Sequence, residues 1–187
     1  MQLILASQSP RRKELLGLFG IPFTIRVADI DETMDSGNPY DEVARVSRQK
    51  ALAIPRESDD VVVAADTVVV CDGTVLGKPR DEADAAAMLG LLSGRAHQVM
   101  TGLTVLRGEK IISCTEVTEV CFRALTDREI DAYIRSGEPM DKAGAYGIQQ
   151  GGALFVEKIC GDYFNVVGLP VCRLGMLLKE IAPEWMK

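Results

Sequence analysis

The run of residues 61–70 constrains the fold of this chain more than any other feature. Apart from Asp66 and Thr67, every residue in it is valine or alanine. An unbroken apolar run of this kind is typical of a central strand that is covered on both faces. Other strand and helix patterns follow one another without a strict βαβ period, so we predict an α/β fold with a mixed central sheet flanked by helices.

Capping residues and prolines mark the starts of predicted helices. These starts lie at Ser9, Asn38, Asp81, Thr126 and Pro170. Apolar patterning predicts further strands at residues 2–6, 74–76, 97–106, 110–124 and 153–159. Residues 144–152 are rich in glycine and are predicted to form a loop. With 187 residues and no linker-like stretch, the chain is predicted to form a single domain over residues 1–187.

Composition and charge argue against several classes of protein. The net charge of -6 and the pI near 4.9 oppose binding to nucleic acid, because a phosphate backbone requires a basic face. No apolar run approaches the ~20 residues that span a membrane. The first residues lack the basic start of a signal peptide, so we predict a cytoplasmic protein. Five scattered cysteines without a CxxC pair indicate neither a disulfide framework nor a zinc site.

Asp66 is the one charged residue in the apolar run. A carboxylate inside a buried strand has a large desolvation cost unless a cation or hydrogen-bond donors hold it. Such residues are enriched at functional sites, so Asp66 is a candidate catalytic or metal-binding residue. The alternative is that the strand ends at Ala65 and that Asp66 begins a solvated loop.

Four polar residues cluster where the first predicted helix begins. Ser7, Ser9, Arg11 and Arg12 follow the first strand directly. A helix N-terminus presents unpaired N–H groups and a positive dipole end, and arginine adds forked donors for phosphate oxygens. These residues therefore form a candidate phosphate-binding site. The alternative is a capped surface helix with solvated arginines.

Acidic and basic residues elsewhere suit metal-assisted phosphoryl chemistry. Asp29, Asp31 and Glu32 offer the oxygen ligands that magnesium and manganese prefer. Lys50 and Lys78 offer point charges for phosphate oxygens. In such chemistry, catalysis consists mostly of positioning and charge neutralisation. By default, Lys50 on its helix would be a solvated surface residue.

Two features of the chain are set aside. Residues 73–79 superficially match a P-loop, but the glycine spacing is one residue short and Pro79 stands where serine or threonine is required. His97 is the only histidine and no GxSxG motif is present, which argues against a histidine-rich metal site or a Ser-His-Asp triad. His97 is interpreted as a polar residue at the end of a strand.

Several blocks of sequence, in order, closely resemble proteins of the Maf family. These blocks are LILASQSPRR (3–12), ADTV (65–68), LGKP (76–79), SGR (93–95), DKAGAYGIQ (141–149) and GLP (168–170). The resemblance implies a single Maf-type domain with an elongated α/β fold, two lobes and a cleft, related to inosine triphosphate pyrophosphatases. It further implies a divalent metal (magnesium or manganese), a homodimer and a link to arrest of cell division.

The resemblance also assigns catalytic roles. Asp66 matches the family's catalytic carboxylate, which is proposed to accept a proton from the attacking water. Glu32, Lys50 and Lys78 match its other functional positions, and Asp66 and Glu32 would hold the metal. Ser7, Ser9, Arg11, Arg12, Thr67 and Gln149 would bind the substrate.

Substrate choice follows from three of these positions. Arg11, Thr67 and Gln149 match the branch of the family that acts on dTTP and UTP, whereas another branch prefers 7-methyl-GTP. The implied reaction is hydrolysis of dTTP or UTP to the monophosphate and pyrophosphate. Gln150 stands where the family has glycine, which affects only local loop shape. The alternatives are a pyrophosphatase for modified pyrimidine nucleotides, a 7-methyl-GTP pyrophosphatase, and a nucleotide-binding regulator of division with little turnover.

Overall fold

A seven-stranded mixed sheet lies at the centre of the computed structural model, which describes residues 1–34 and 37–185. The strands are β1 (Leu3–Leu5), β2 (Phe23–Ile25), β3 (Val61–Cys71), β4 (Thr74–Leu76), β5 (Ala96–Arg107), β6 (Lys110–Phe122) and β7 (Val156–Cys160). The helices are α1 (Pro10–Gly17), α2 (Pro39–Leu52), α3 (Glu82–Leu92), α4 (Asp127–Ile134), α5 (Tyr163–Val167) and α6 (Val171–Ile181). The predicted α/β class is therefore confirmed.

Strand directions make the sheet mixed, as predicted. The strand order is β2-β1-β3-β5-β6-β7, and β4 pairs with β3 off this path. β1 runs parallel to both β2 and β3, whereas β3 with β4 and β6 with β7 are antiparallel. Only Gly108 and Glu109 connect β5 to β6, a connection that suits an antiparallel hairpin.

β3 confirms the prediction made from the apolar run. All of its residues are buried except Thr67, which is half-buried. Asp66 lies five residues before the end of the strand, so the alternative in which the strand ends at Ala65 is wrong. The turn into β4 places Asp72 and Gly73 at φ 48° and 76°, the left-handed region that the Asp-Gly hairpin signal predicts.

The chain forms two compact units. The first unit contains Met1–Asp66, Thr101–Glu116 and the chain from Gly168 onward. Its core includes a cluster of buried residues from β1, α2, β3 and β5, namely Ile4, Ala6, Ala51, Ile54, Val62, Ala64 and Leu106. The second unit contains Thr67–Met100 and Val117–Val167. The single domain over residues 1–187 stays a prediction.

Local capping signals predicted the helix starts well. The side chains of Asn38 and Asp81 accept hydrogen bonds from the first turns of α2 and α3. Thr126 and Glu129 form the predicted capping box at the start of α4. Each of these caps satisfies backbone N–H groups that a helix start leaves unpaired.

One prediction about an irregular segment needs correction. The strand expected at residues 153–159 begins at Val156, because Gly151–Phe155 forms a 3-10 turn. The short elements β2 and α5 were not predicted. They contain three and five residues, too few to show a clear period.

Helix α2 packs against β5 at unusually short range within the first unit. A Cβ atom added to Gly102 would overlap the carbonyl group of Val43 and lie 2.6 Å from the amide nitrogen of Ala44. Glycine is therefore required at Gly102 for a close approach of two backbones.

Within the described part of the chain, no helix is both long and apolar enough to cross a membrane.

Candidate active site

Lys50 joins two of the predicted acidic residues in the first unit. Its Nζ donates to Asp66 Oδ1 at 2.7 Å and lies 2.9 Å from Glu32 Oε2. The side chains of Lys50 and Asp66 are only 13% and 12% exposed. Lys50 is therefore not the solvated surface residue that its place on α2 suggested by default.

The pairing of Lys50 with Asp66 explains how β3 tolerates a buried charge. The last turn of α2 carries Lys50, and the Lys50 side chain reaches Asp66 on β3. An unpaired carboxylate at this depth would lose its hydration without compensation. The ammonium group replaces that hydration and orients the carboxylate through Oδ1.

The start of α1 holds Arg12 in place. Ser9 caps the helix, and its Oγ accepts from the backbone N–H of Arg12. Ser7 Oγ accepts from the backbone N–H of Ser9 at 3.2 Å and from Arg12 Nη1 at 3.4 Å. Arg12 Nε also donates to the carbonyl oxygen of Gly168 at 2.8 Å. The helix is capped as predicted, but Arg12 is half-buried and held by the protein, so the alternative of a solvated arginine is wrong for this residue.

Arg12 also interacts electrostatically with the acidic pair. Burial lowers the pKa of Arg12, Asp66 and Glu32 act to raise it, and neighbouring Arg11 acts to lower it. An arginine keeps its charge under these influences because its pKa lies far above neutral pH. Arg12 and Lys50 therefore supply two positive charges beside two carboxylates.

These residues form one group within the first unit, which we call the charged cluster. Its members are Ser7, Ser9, Arg12, Glu32, Lys50 and Asp66, all of which the sequence predicted. Arg11, the neighbour of Arg12, is half-buried. Asp29 and Asp31 are exposed, and Asp31 Oδ1 accepts from the backbone N–H of Thr33 at 2.9 Å, which closes a local turn.

The carboxylates of the charged cluster partly fit a divalent metal. Asp66 and Glu32 both contact the same Lys50 nitrogen, so their carboxylates lie close to one another with the ammonium group between them. In residues 1–34 and 37–185, no group of three or more acidic, histidine or cysteine side chains could hold a metal. Magnesium is commonly held by one or two carboxylates together with substrate phosphates and water. Asp66 and Glu32 suit that mode of binding, in which the protein supplies only part of the coordination shell.

The remaining predicted site residues belong to the second unit. Thr67 is half-buried in β3, directly after Asp66. Lys78 is exposed in the segment between β4 and α3. Gln149 is exposed and follows a run of buried residues from Gly144 to Ile148. The structure thus assigns the predicted residues to two units.

The segment before Gln149 is fixed by side chains to which the sequence analysis assigned no role in the site. Tyr133 Oη accepts from the backbone N–H of Gly147 at 3.0 Å. His97 Nε2 and Tyr146 Oη form a hydrogen bond of 2.8 Å. His97 lies near the start of β5, in agreement with its interpretation as a polar residue at a strand end, and it is a core residue with only 2% of its surface exposed.

Comparisons with known proteins agree with the resemblance seen in the sequence. A family model described as Maf-like protein matches residues 2–181. The chain is 51% identical to a dTTP/UTP pyrophosphatase of Bacillus cereus over 181 residues, which cover 96% of this chain and 95% of that protein. It is 50% identical to a dTTP/UTP pyrophosphatase of Bacillus anthracis, with the same coverage of both chains.

Two solved structures have a weak likeness to this chain. A HAM1 protein from Coxiella burnetii matches with a TM-score of 0.48 and 14% identity, over 96% of this chain and 99% of that one. The Ham1 protein of Staphylococcus aureus matches with a TM-score of 0.47 and 12% identity, over 65% of this chain and 72% of that one.

Proposed function

We propose, because this chain belongs to the family of Maf-like proteins, that it is a nucleoside triphosphate pyrophosphatase that hydrolyses dTTP and UTP. The observation that carries the proposal is the identity of about half the residues, over 96% of the chain, with proteins named dTTP/UTP pyrophosphatase. The charged cluster supports it, since its residue types are those that phosphoryl chemistry requires.

The proposed reaction breaks the bond between the α-phosphorus and the oxygen that bridges to the β-phosphorus. A water molecule attacks the α-phosphorus, Asp66 accepts the proton of that water, and pyrophosphate leaves with the bridging oxygen. Lys50 orients the Asp66 carboxylate through the 2.7 Å contact with Oδ1. The nucleoside monophosphate is the other product.

Phosphate binding is assigned to the start of α1. The positive end of the helix dipole attracts phosphate oxygens. The residues just before and just after the start of α1 include Ser7, Ser9, Arg11 and Arg12. Arg12 is already oriented by Ser7 and Gly168, so little side-chain entropy is lost when it binds an anion. Lys78 in the second unit is proposed to add a further positive charge.

A magnesium or manganese ion is proposed to take part, held by Asp66 and Glu32 together with oxygens of the substrate. When bound, the ion would neutralise negative charge that develops on the phosphates. Lys50 and Arg12 balance the two carboxylates in charge, so a triphosphate adds negative charge that the protein alone does not match.

The proposed metal requirement predicts that EDTA abolishes hydrolysis of dTTP and that excess manganese restores it. Release of pyrophosphate is the measurement, with and without the chelator after exhaustive dialysis. A thermal melt in EDTA is the control, because it separates loss of the ion from loss of the fold. Full activity of dialysed protein in EDTA would contradict the metal assignment.

Base recognition is proposed to involve Gln149, an exposed residue of the second unit. Its amide offers both a donor and an acceptor, which match the N3–H and the neighbouring carbonyl of thymine or uracil. Cytosine presents these groups in a different order, and a purine is larger. Arg11 and Thr67 complete the set of positions that match the dTTP/UTP branch.

The proposed substrate choice predicts that dTTP and UTP are hydrolysed faster than 7-methyl-GTP, and that pyrophosphate is released rather than orthophosphate. In Gln149→Glu, kcat/KM for dTTP should fall more than kcat/KM for 7-methyl-GTP, because a carboxylate lacks the amide donor. Sites that hydrogen-bond one substrate can discriminate by about 10⁴-fold.

Gln150→Glu is the matched control for this substitution. It places the same charge one residue further along the chain, also at an exposed position. It should leave the preference for dTTP unchanged. Faster hydrolysis of 7-methyl-GTP than of dTTP by the unmodified protein would refute the roles of Arg11, Thr67 and Gln149 together.

Other parts of the proposal rest on the family resemblance alone. They are a homodimer, a link to arrest of cell division and action on modified pyrimidine nucleotides. A regulator that only binds nucleotide would need the arginines and lysines but would have no use for Asp66 held by Lys50. Measured turnover of dTTP therefore separates the enzyme from such a regulator.

A further inference from the structure

We infer that the hydrogen bond between His97 and Tyr146 positions the segment that carries Gln149 and so sets selectivity for the base. The inference rests on the proposed function, because Gln149 is assigned there to read the pyrimidine. His97 and Tyr146 are positioning residues, since they would act on the substrate only through that segment.

His97 is a buried residue of the second unit. It lies near the start of β5, with 2% of its surface exposed. Its Nε2 is 2.8 Å from Tyr146 Oη, and its ring meets the rings of Tyr146 and Phe122 edge-on at 5.4 and 5.0 Å. A strand of the central sheet thereby fixes the position of Tyr146, three residues before Gln149.

A second contact fixes the next residue from another element. The backbone N–H of Gly147 donates to the hydroxyl of Tyr133 on α4 at 3.0 Å. Residues 146 and 147 are therefore held by β5 and α4 respectively. Two anchors on consecutive residues define both the position and the direction of the chain as it reaches Gln149.

The beginning of the segment is equally constrained. Gly144 has φ +68°, its N–H donates to the carbonyl of Gly77 at 3.0 Å, and a Cβ atom there would lie 2.8 Å from the side chain of Val69. Residues 144–148 are all buried. Close contacts thus hold the chain from Gly144 to Ile148, and Gln149 follows it directly.

Burying the polar atoms of His97 and Tyr146 costs desolvation free energy, which a pair that served only for packing would not require. Burial lowers the pKa of His97 to about 4 and raises the pKa of Tyr146, so both rings are neutral near pH 7. Among the described residues, His97 Nδ1 finds no hydrogen-bond partner. An apolar pair would fill the same space without desolvating polar atoms. A directional bond fixes the orientation of Tyr146, which apolar contacts do not.

The experiment compares Tyr146→Phe with the unmodified protein on dTTP and dCTP. The substitution keeps the ring contacts and removes only the hydroxyl. We expect the ratio of kcat/KM for dTTP to that for dCTP to fall about three- to tenfold, the size of one buried hydrogen bond. The fall should come from a higher KM for dTTP, with kcat for dTTP within about twofold, since the chemical step does not involve the base.

Ser47→Ala is the matched structural control. It removes another buried hydroxyl, which bonds to Thr104 Oγ1 at 2.8 Å in the first unit. We expect it to lower Tm by as much as Tyr146→Phe does without changing the ratio. If Tyr146→Phe lowers Tm in the same way and leaves the ratio within about twofold, the bond has only a structural role and the inference is overturned.

A second pair of variants covers the case in which Tyr146→Phe fails to fold. In His97→Gln the amide nitrogen can occupy the position of Nε2, so the ratio should be kept, whereas His97→Leu should lose it. Equal ratios in these two variants would overturn the inference.

Gln149→Ala separates failure of the proposed role of Gln149 from failure of the inference about His97 and Tyr146. If Gln149→Ala leaves the ratio of kcat/KM for dTTP to that for dCTP unchanged, the role of Gln149 is wrong and the inference fails with it. If Gln149→Ala abolishes the preference for dTTP over dCTP while Tyr146→Phe does not change it, only the inference fails.

Discussion

Replacing Asp66 with asparagine is expected to lower kcat for dTTP by about 10²–10⁴-fold, the contribution typical of a general base. The amide retains the shape of the carboxylate but does not accept the proton of the attacking water. Loss of a metal ligand would add to this effect. Steady-state release of pyrophosphate at saturating manganese measures the change.

Nucleotide binding should survive this substitution. The arginines and serines at the start of α1 are unchanged, so a dTTP analogue with nitrogen in place of the α–β bridging oxygen should bind with a similar Kd. Asp59→Asn is the control, because Asp59 is a carboxylate of the same unit that pairs with Arg107 at the surface. Near-normal kcat in Asp66→Asn would show that Asp66 is not the proton acceptor.

Replacing Gly102 with alanine is expected to destabilise the fold by about 3 kcal/mol or more, at the upper end of overpacking effects. The new methyl group would overlap the carbonyl of Val43, which is backbone of α2 and has no rotamer with which to move aside. Either α2 or β5 must therefore shift. Urea denaturation followed by circular dichroism measures the loss.

Gly90→Ala is the matched control and should have the opposite sign. Gly90 lies inside α3, and a Cβ atom there would meet nothing within 4 Å. Alanine in a helix interior is favoured over glycine by about 0.5–1 kcal/mol. If Gly102→Ala unfolds at the same urea concentration as the unmodified protein, the close approach of α2 and β5 is not as tight as described.

Features set by neighbouring residues were predictable from the sequence. The capping side chains are those of Asn38, Asp81 and Thr126. Each accepts a hydrogen bond from a backbone N–H no more than three residues further along the chain. The central position of β3 follows from its composition, because only a strand covered on both faces benefits from so many valines.

Features that depend on distant residues were less predictable. Lys50 and Asp66 are 16 residues apart, and nothing in the local pattern of α2 marks Lys50 as buried. The family resemblance selected both residues, but residue spacing alone would have left Lys50 at the surface. The bond between His97 and Tyr146 spans 49 residues, and the sequence pattern shows neither the partner nor the burial of the pair. Asp29 and Asp31 illustrate the reverse case, because a plausible acidic motif contains residues that stay exposed.

The edge strands β2 and β7 affect how copies of this protein can associate. Unpaired strand edges invite pairing with another chain, and proteins limit this with short or charged edge strands. Within the described residues, β2 at one end is only three residues long. At the other end, β7 exposes the oppositely charged Glu157 and Lys158. β2 and β7 therefore do not favour strand pairing with another copy through their own edges.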